Sequence, residues 1–168
     1  SYAVRYLGTV AGIMITASHN PKEYNGYKVY GEDGAQMSPE ATEIVVGFIE
    51  KITDYLSVTG EENSPLIVPV PKEVDDTYIE ALKKLTLSKE AVAKCGKDLK
   101  LVYTPVHGSG YVPVTRILKE LGINVTVVKE QTTKDTEFST VAVPNPEFKE
   151  TLSTVSYTHL RAHETGRN

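Results

Sequence analysis

The chain has 168 residues, 40% of them hydrophobic, which is enough to bury a core as one ordinary domain or two small ones. Its 18 basic and 22 acidic residues form no basic cluster longer than a pair, which excludes the electrostatic footprint of a nucleic-acid or anionic-membrane binder. No apolar run approaches the roughly 18 residues of a membrane helix, residues 1–8 lack a signal-peptide pattern, and the single Cys95 excludes an internal disulfide framework, so the cytoplasm is expected.

Ala3, Val4 and Leu7 recur at helical spacing and stop at Gly8, so residues 2–7 read as the last turns of a helix and the chain is expected to begin within a domain. Residues 10–16 read as a buried strand and 27–30 as a second, with Asn25-Gly26 supplying a tight turn before it. Ser38 followed by Pro39 starts a helix whose apolar face comprises Ala41, Ile44, Val45, Phe48, Ile49, Ile52 and Tyr55. Over 57–72 the periodicity disappears, and Gly60, Ser64, Pro65, Pro69 and Pro71 mark a connection, with a boundary near Val68. Asp75 and Asp76 open a helix through Tyr78, Ile79, Leu82 and Leu85, and a shorter one runs from Ser88 to Gly96. A strand over 99–103, the turn 104–110, a helix over 111–121 closed by Gly122 and a strand over 123–128 make a βαβ unit, which implies a parallel sheet.

Between the first two strands, Thr16-Ala17-Ser18-His19-Asn20-Pro21 concentrates a hydroxyl, an imidazole and an amide where a strand ends. A Ser-His dyad is opposed by geometry, since adjacent side chains of an extended segment point to opposite sides. A plain turn would suffice to explain Thr, Ser and Asn ahead of a proline. A phosphoryl carrier at Ser18 is the third reading, with backbone N–H groups and polar side chains around its oxygens. Downstream, His107, Gly108 and Gly110 occupy a strand–helix turn at the C-terminal edge of a parallel sheet. A tight packing turn and a substrate contact are both open there, because His-Gly-Ser-Gly lacks the full dinucleotide or P-loop spacing. Cys95, near a helix end, reads as a packing residue.

The run 16–21 resembles the phosphoserine loop of the α-D-phosphohexomutases, the phosphoglucomutase and phosphomannomutase superfamily, and "YNGYKVYGEDGAQ" follows it at that family's spacing. The similarity runs over about residues 1–148, and "YTPVHGSG" with "VPNPE" is most similar to the phosphoglucomutase and phosphopentomutase subgroup. The resemblance implies an α/β fold of three-layer α/β/α domains with mixed, largely parallel sheets. On it, residues 1–68 are the C-terminal part of a phosphoserine-loop domain, 69–150 the N-terminal part of a second domain, and 151–168 a non-family tail. It implies an isomerase that moves a phosphoryl group within a sugar phosphate, of the glucose 1-phosphate to glucose 6-phosphate type, through a phosphoserine at Ser18. Lys28, as a proton carrier beside the phosphate, and His19 would be catalytic with Ser18. Thr16, Asn20, His107 and Gly108 would contact substrate. The Ser18 phosphate would be one ligand of a Mg2+ ion, with a sugar bisphosphate as activator. The expected partner is a small-molecule sugar phosphate, with no nucleic acid and no membrane.

That family's Asp-x-Asp-x-Asp run is expected after "VPNPE", and the 168 residues contain none. The chain therefore reads as a fragment of a mutase, inactive by itself. The segment "TLSTVSYTHLRAHETGRN" departs from the family pattern and reads as read-through without ordered structure; its His159 and His163 are four apart but lack a third metal ligand. The alternative is a non-catalytic sugar-phosphate-binding or scaffolding module that retains the loop.

Overall fold

The computed structural model describes residues 1–60 and 62–155. Its backbone divides into two units, one of residues 1–15 and 27–76 and one of residues 16–26 and 77 onward.

In the first unit, α1 (Tyr2–Leu7) ends on Gly8 at φ 62, a left-handed position that glycine takes without a Cβ penalty. β1 (Ala11–Ile15) and β2 (Tyr27–Gly31) pair antiparallel, with Met14 opposite Lys28. α1 packs on β1 at Gly12, where a Cβ would lie 2.5 Å from Val4 Cγ2, and Val4 is the buried side chain of that helix. The buried strand expected over 10–16 is corrected by the structure: Ile13 and Ile15 are each 71% exposed, because a two-stranded ribbon leaves its faces open. α2 (Pro39–Ile49) starts where Ser38 Oγ accepts the Ala41 N–H at 3.3 Å, with Pro39 opening the helix. It stops short of Ile52 and Tyr55. Asp54 accepts the Leu56 N–H at 3.0 Å and starts a separate 3-10 turn, Tyr55–Ser57. The apolar side chains of α2 are exposed as well, Ile44 and Phe48 among them.

α3 (Lys72–Lys84) runs from the first unit into the second and begins ahead of the expected Asp75, because the Pro71 carbonyl takes the Val74 N–H at 3.1 Å. α4 (Lys89–Cys95) follows Ser88 and leaves Cys95 exposed, not packed. In the second unit β3 (Leu101–Tyr103), α5 (Tyr111–Glu120) and β4 (Val125–Val127) form the βαβ arrangement, with β3 and β4 parallel and Leu101 opposite Val125. Pro113 falls in the first turn of α5, where a missing N–H leaves no helical bond unmade. Glu120 on α5 accepts from Arg116 Nε at 2.8 Å and from Lys83 Nζ on α3 at 3.1 Å. Ile79 and Val128 supply the buried apolar side chains of this unit.

The expected tail is ordered at its start. Thr151 is buried in a 3-10 turn (Lys149–Leu152) and donates its hydroxyl to the Val143 carbonyl at 2.9 Å. His159 and His163 lie outside the described residues. The fold is α/β, with one antiparallel and one parallel strand pair among the described residues.

Candidate functional site

The loop 16–26 is held by the short-range bonds that Ser, Thr, Asn and Pro make with nearby backbone. At its base the Thr16 N–H donates to the Gly26 carbonyl at 2.9 Å. Inside it, the Ser18 N–H donates to Thr16 Oγ1 at 2.9 Å, the Asn20 N–H to the Ala17 carbonyl at 3.0 Å and the Tyr24 N–H to the Pro21 carbonyl at 3.0 Å. Asn25 Oδ1 takes the Gly26 N–H at 2.9 Å.

These bonds place Ser18 in the left-handed region at φ 56. The alternation of side chains that holds in an extended segment is lost there. Ser18 Oγ lies 3.3 Å from His19 Nδ1, so the expectation that the two point apart is corrected. Both side chains are exposed, and the ring nitrogen can accept the hydroxyl proton in one tautomer.

A cleft of about 350 Å³ opens beside Ser18. Of the expected site residues, Ser18, Asn20 and His107 line it together. Thr16, His19 and Gly108 are not part of its lining: the Thr16 hydroxyl holds the Ser18 N–H, and Gly108 admits the Pro105 carbonyl, which a Cβ would meet at 2.9 Å. Lys28 belongs to the first unit, exposed on β2. Lys22 and Asn25 from the loop, and Lys134 and Asp135 from the segment after β4, also line the cleft and are not among the site residues expected from the sequence. A signal for the second pair was present, since the polar run 132–137 follows a strand of the parallel pair at its C-terminal end, where α/β folds place ligands.

The segment after β4 is tightly organised. Asp135 accepts the Glu137 N–H at 3.0 Å, the Ser139 N–H at 2.9 Å and the Ser139 hydroxyl at 2.5 Å. The Ser139 hydroxyl and N–H hold its carboxyl below the usual aspartate range. Glu137 pairs with Lys22 and raises its amine above the ordinary lysine value. His107 sits at φ 61 after Val106 at φ 48, and its ring meets Phe138 edge-on at 6.1 Å between centroids. Its Nδ1 is 2.8 Å from the Thr133 carbonyl and its Nε2 2.7 Å from Thr140 Oγ1. Two lysines, one of them paired with Glu137, share one cleft with Asp135 and several amide and hydroxyl groups, which suits it to a polar ligand.

No group of three His, Cys, Asp or Glu side chains that could hold a metal ion occurs among the described residues. Asp135, the carboxylate in the cleft, is engaged by Ser139 and Glu137. The described residues therefore do not constitute a magnesium site. No described helix is long and apolar enough to cross a membrane.

The chain superimposes on the crystal structure of a Thermus thermophilus protein ascribed to the phosphomannomutases, with a TM-score of 0.68 and 26% identity over 94% of this chain and 33% of that one. The pattern for phosphoglucomutase/phosphomannomutase alpha/beta/alpha domain I matches residues 1–56, and that for domain II matches residues 76–165. The phosphoglucomutases of Staphylococcus aureus strains MRSA252 and N315 are each 43% identical over 151 residues, and that of strain USA300 is 42% identical. These alignments take in 88% of this chain and 26% of each relative, so the chain spans about a quarter of their length. The chain belongs to the phosphoglucomutase/phosphomannomutase family.

Proposed function

We propose that the protein carrying this segment is a phosphosugar mutase of the glucose 1-phosphate to glucose 6-phosphate type, and that Ser18 is its phosphoryl carrier. The observation that carries the reading is the exposed Ser18 hydroxyl at the turn of a family-matched loop, beside a cleft that Lys22 and Lys134 line. In the proposed cycle a free sugar hydroxyl attacks the phosphorus of phosphoserine 18. The bond from phosphorus to Ser18 Oγ breaks, and a sugar bisphosphate forms. After the bisphosphate turns over, Ser18 Oγ attacks its other phosphate and is rephosphorylated, leaving the isomeric monophosphate.

Catalysis of this kind is positioning and charge compensation. Lys22 and Lys134 offer cationic groups to the phosphates, and Asn20 and Asn25 offer amide donors. His19, with Nδ1 at 3.3 Å, orients the Ser18 hydroxyl, and Lys28 carries the proton. Magnesium on the Ser18 phosphate would shield its charge, and its remaining ligands would have to come from outside the described residues. The proposed organisation keeps 1–68 as part of the phosphoserine-loop domain and 69–150 as part of the next.

The test is turnover of glucose 1-phosphate, with glucose 1,6-bisphosphate as activator, by the protein that joins this segment to an Asp-x-Asp-x-Asp loop, compared with its Ser18→Ala variant. The variant is expected to lose on the order of a hundredfold or more in rate. Its stability should stay within about 0.5 kcal/mol, as for other surface changes. Undiminished turnover would overturn the assignment, and sugar-phosphate binding without turnover in either protein would favour the binding-module alternative.

A further inference from the structure

The polar groups around His107 form a chain of hydrogen bonds that runs through Thr140, Gln131 and Thr104. The Thr133 carbonyl only accepts, so His107 Nδ1, 2.8 Å away, carries the ring proton. Nε2 of the neutral ring is then an acceptor, and the Thr140 hydroxyl at 2.7 Å is its donor. Thr140 Oγ1 accepts from Gln131 Nε2 at 3.2 Å. Gln131 Oε1 accepts from the Thr104 hydroxyl, and Thr104 Oγ1 takes the Val106 N–H at 3.1 Å. Gln131, in the middle, is fully buried, and its carbonyl also takes the His107 N–H at 2.9 Å.

Two consecutive left-handed residues, one of them the β-branched Val106, aim the ring into this chain. Such backbone persists where the surroundings over-determine it. The network ties the turn 104–110 to the segment 131–140, and that segment carries Lys134 and Asp135 into the cleft beside Ser18. We infer that His107 is a positioning residue: its ring, which in the neutral form carries its proton on Nδ1, fixes the 133–140 segment as a wall of the cleft, with both ring nitrogens engaged by protein and neither left to bind substrate. The inference rests on the mutase reading only for what the wall serves; the tautomer and the hold on the segment stand apart from it.

The experiment is nitrogen-resolved NMR of the histidines in the unaltered chain at neutral pH, followed by amide hydrogen exchange in His107→Ala and His107→Asn. His107 is expected to show the Nδ1–H pattern. In His107→Ala, exchange of the Glu137, Phe138 and Ser139 amides should speed up by about tenfold or more, the equivalent of at least one lost hydrogen bond, while the amides of α5 are unchanged. Asn keeps a donor near the Nδ1 position, and His107→Asn should restore part of the protection. An Nε2–H pattern, or unchanged exchange over 137–139 in His107→Ala, would overturn the inference. The tautomer is read without any substitution, so it decides even if a variant fails to fold. Failure of Ser18 to take up phosphate would count against the mutase reading and leave the tautomer result intact.

Discussion

Lys28 has an ammonium whose stem is not needed to fill a core, since it is exposed on β2 opposite Met14. Lys28→Met keeps most of that stem and removes the charge. The mutase that carries this segment should lose turnover by about a hundredfold or more on this change, the low end of what a positioned proton carrier contributes, while its melting temperature stays unchanged. Turnover within about twofold of the wild type would remove Lys28 from the mechanism. Asp135 makes a prediction in pH. Its carboxyl lies lower in the folded protein than in the unfolded chain, so the stability it lends is present above the ordinary aspartate value of about 3.9 and is lost as pH falls through the depressed folded value. Because the Ser139 hydroxyl is the largest cause, Ser139→Ala should move the Asp135 titration up toward the ordinary value, read by carboxyl NMR. An unmoved midpoint would contradict the assigned cause. At this scale the sequence points to Ser18 and His19, but not to their contact. An extended backbone is the natural assumption there, and the left-handed turn at Ser18 is set by Thr16 Oγ1, two residues back.

The turn between β3 and α5 depends on glycine for packing. A Cβ at Gly110 would lie 2.6 Å from the Tyr103 hydroxyl oxygen, though its φ of −67° suits alanine. Gly110→Ala should therefore destabilise the chain by about 1–3 kcal/mol through overpacking. Adding Tyr103→Phe, which removes the offending oxygen, should recover most of that loss in a denaturant titration. Equal instability of the single and double variants would place the strain elsewhere. Element ends marked by local chemistry are legible in the sequence: Gly8, the Ser38-Pro39 start and the βαβ order all appear where their residue types imply. Burial of β1 is not, because an apolar run says what a strand can bury and not what is there to cover it. The start of α3 is also hidden, since the Asp pair looks like a cap while the Pro71 carbonyl already closes a turn ahead of it.

Across the whole molecule, apolar side chains remain in contact with water in both units: Ile13, Ile15 and Leu66 in the first, Leu87 in the second. A two-stranded ribbon is marginal in water, and open edges and apolar faces invite association. Sedimentation of the purified chain should show association that rises with concentration, and Ile13→Lys combined with Ile15→Lys should reduce it. A monomer at all concentrations would mean that these faces are quiet. The central claim, that Ser18 carries the phosphoryl group, has a direct readout. The mutase carrying this segment is incubated with magnesium and glucose 1,6-bisphosphate, and its peptides are mapped by mass spectrometry. One phosphoryl group is expected on the peptide containing residues 16–21, located on Ser18; phosphate on Thr16 with Ser18 unmodified would contradict the claim.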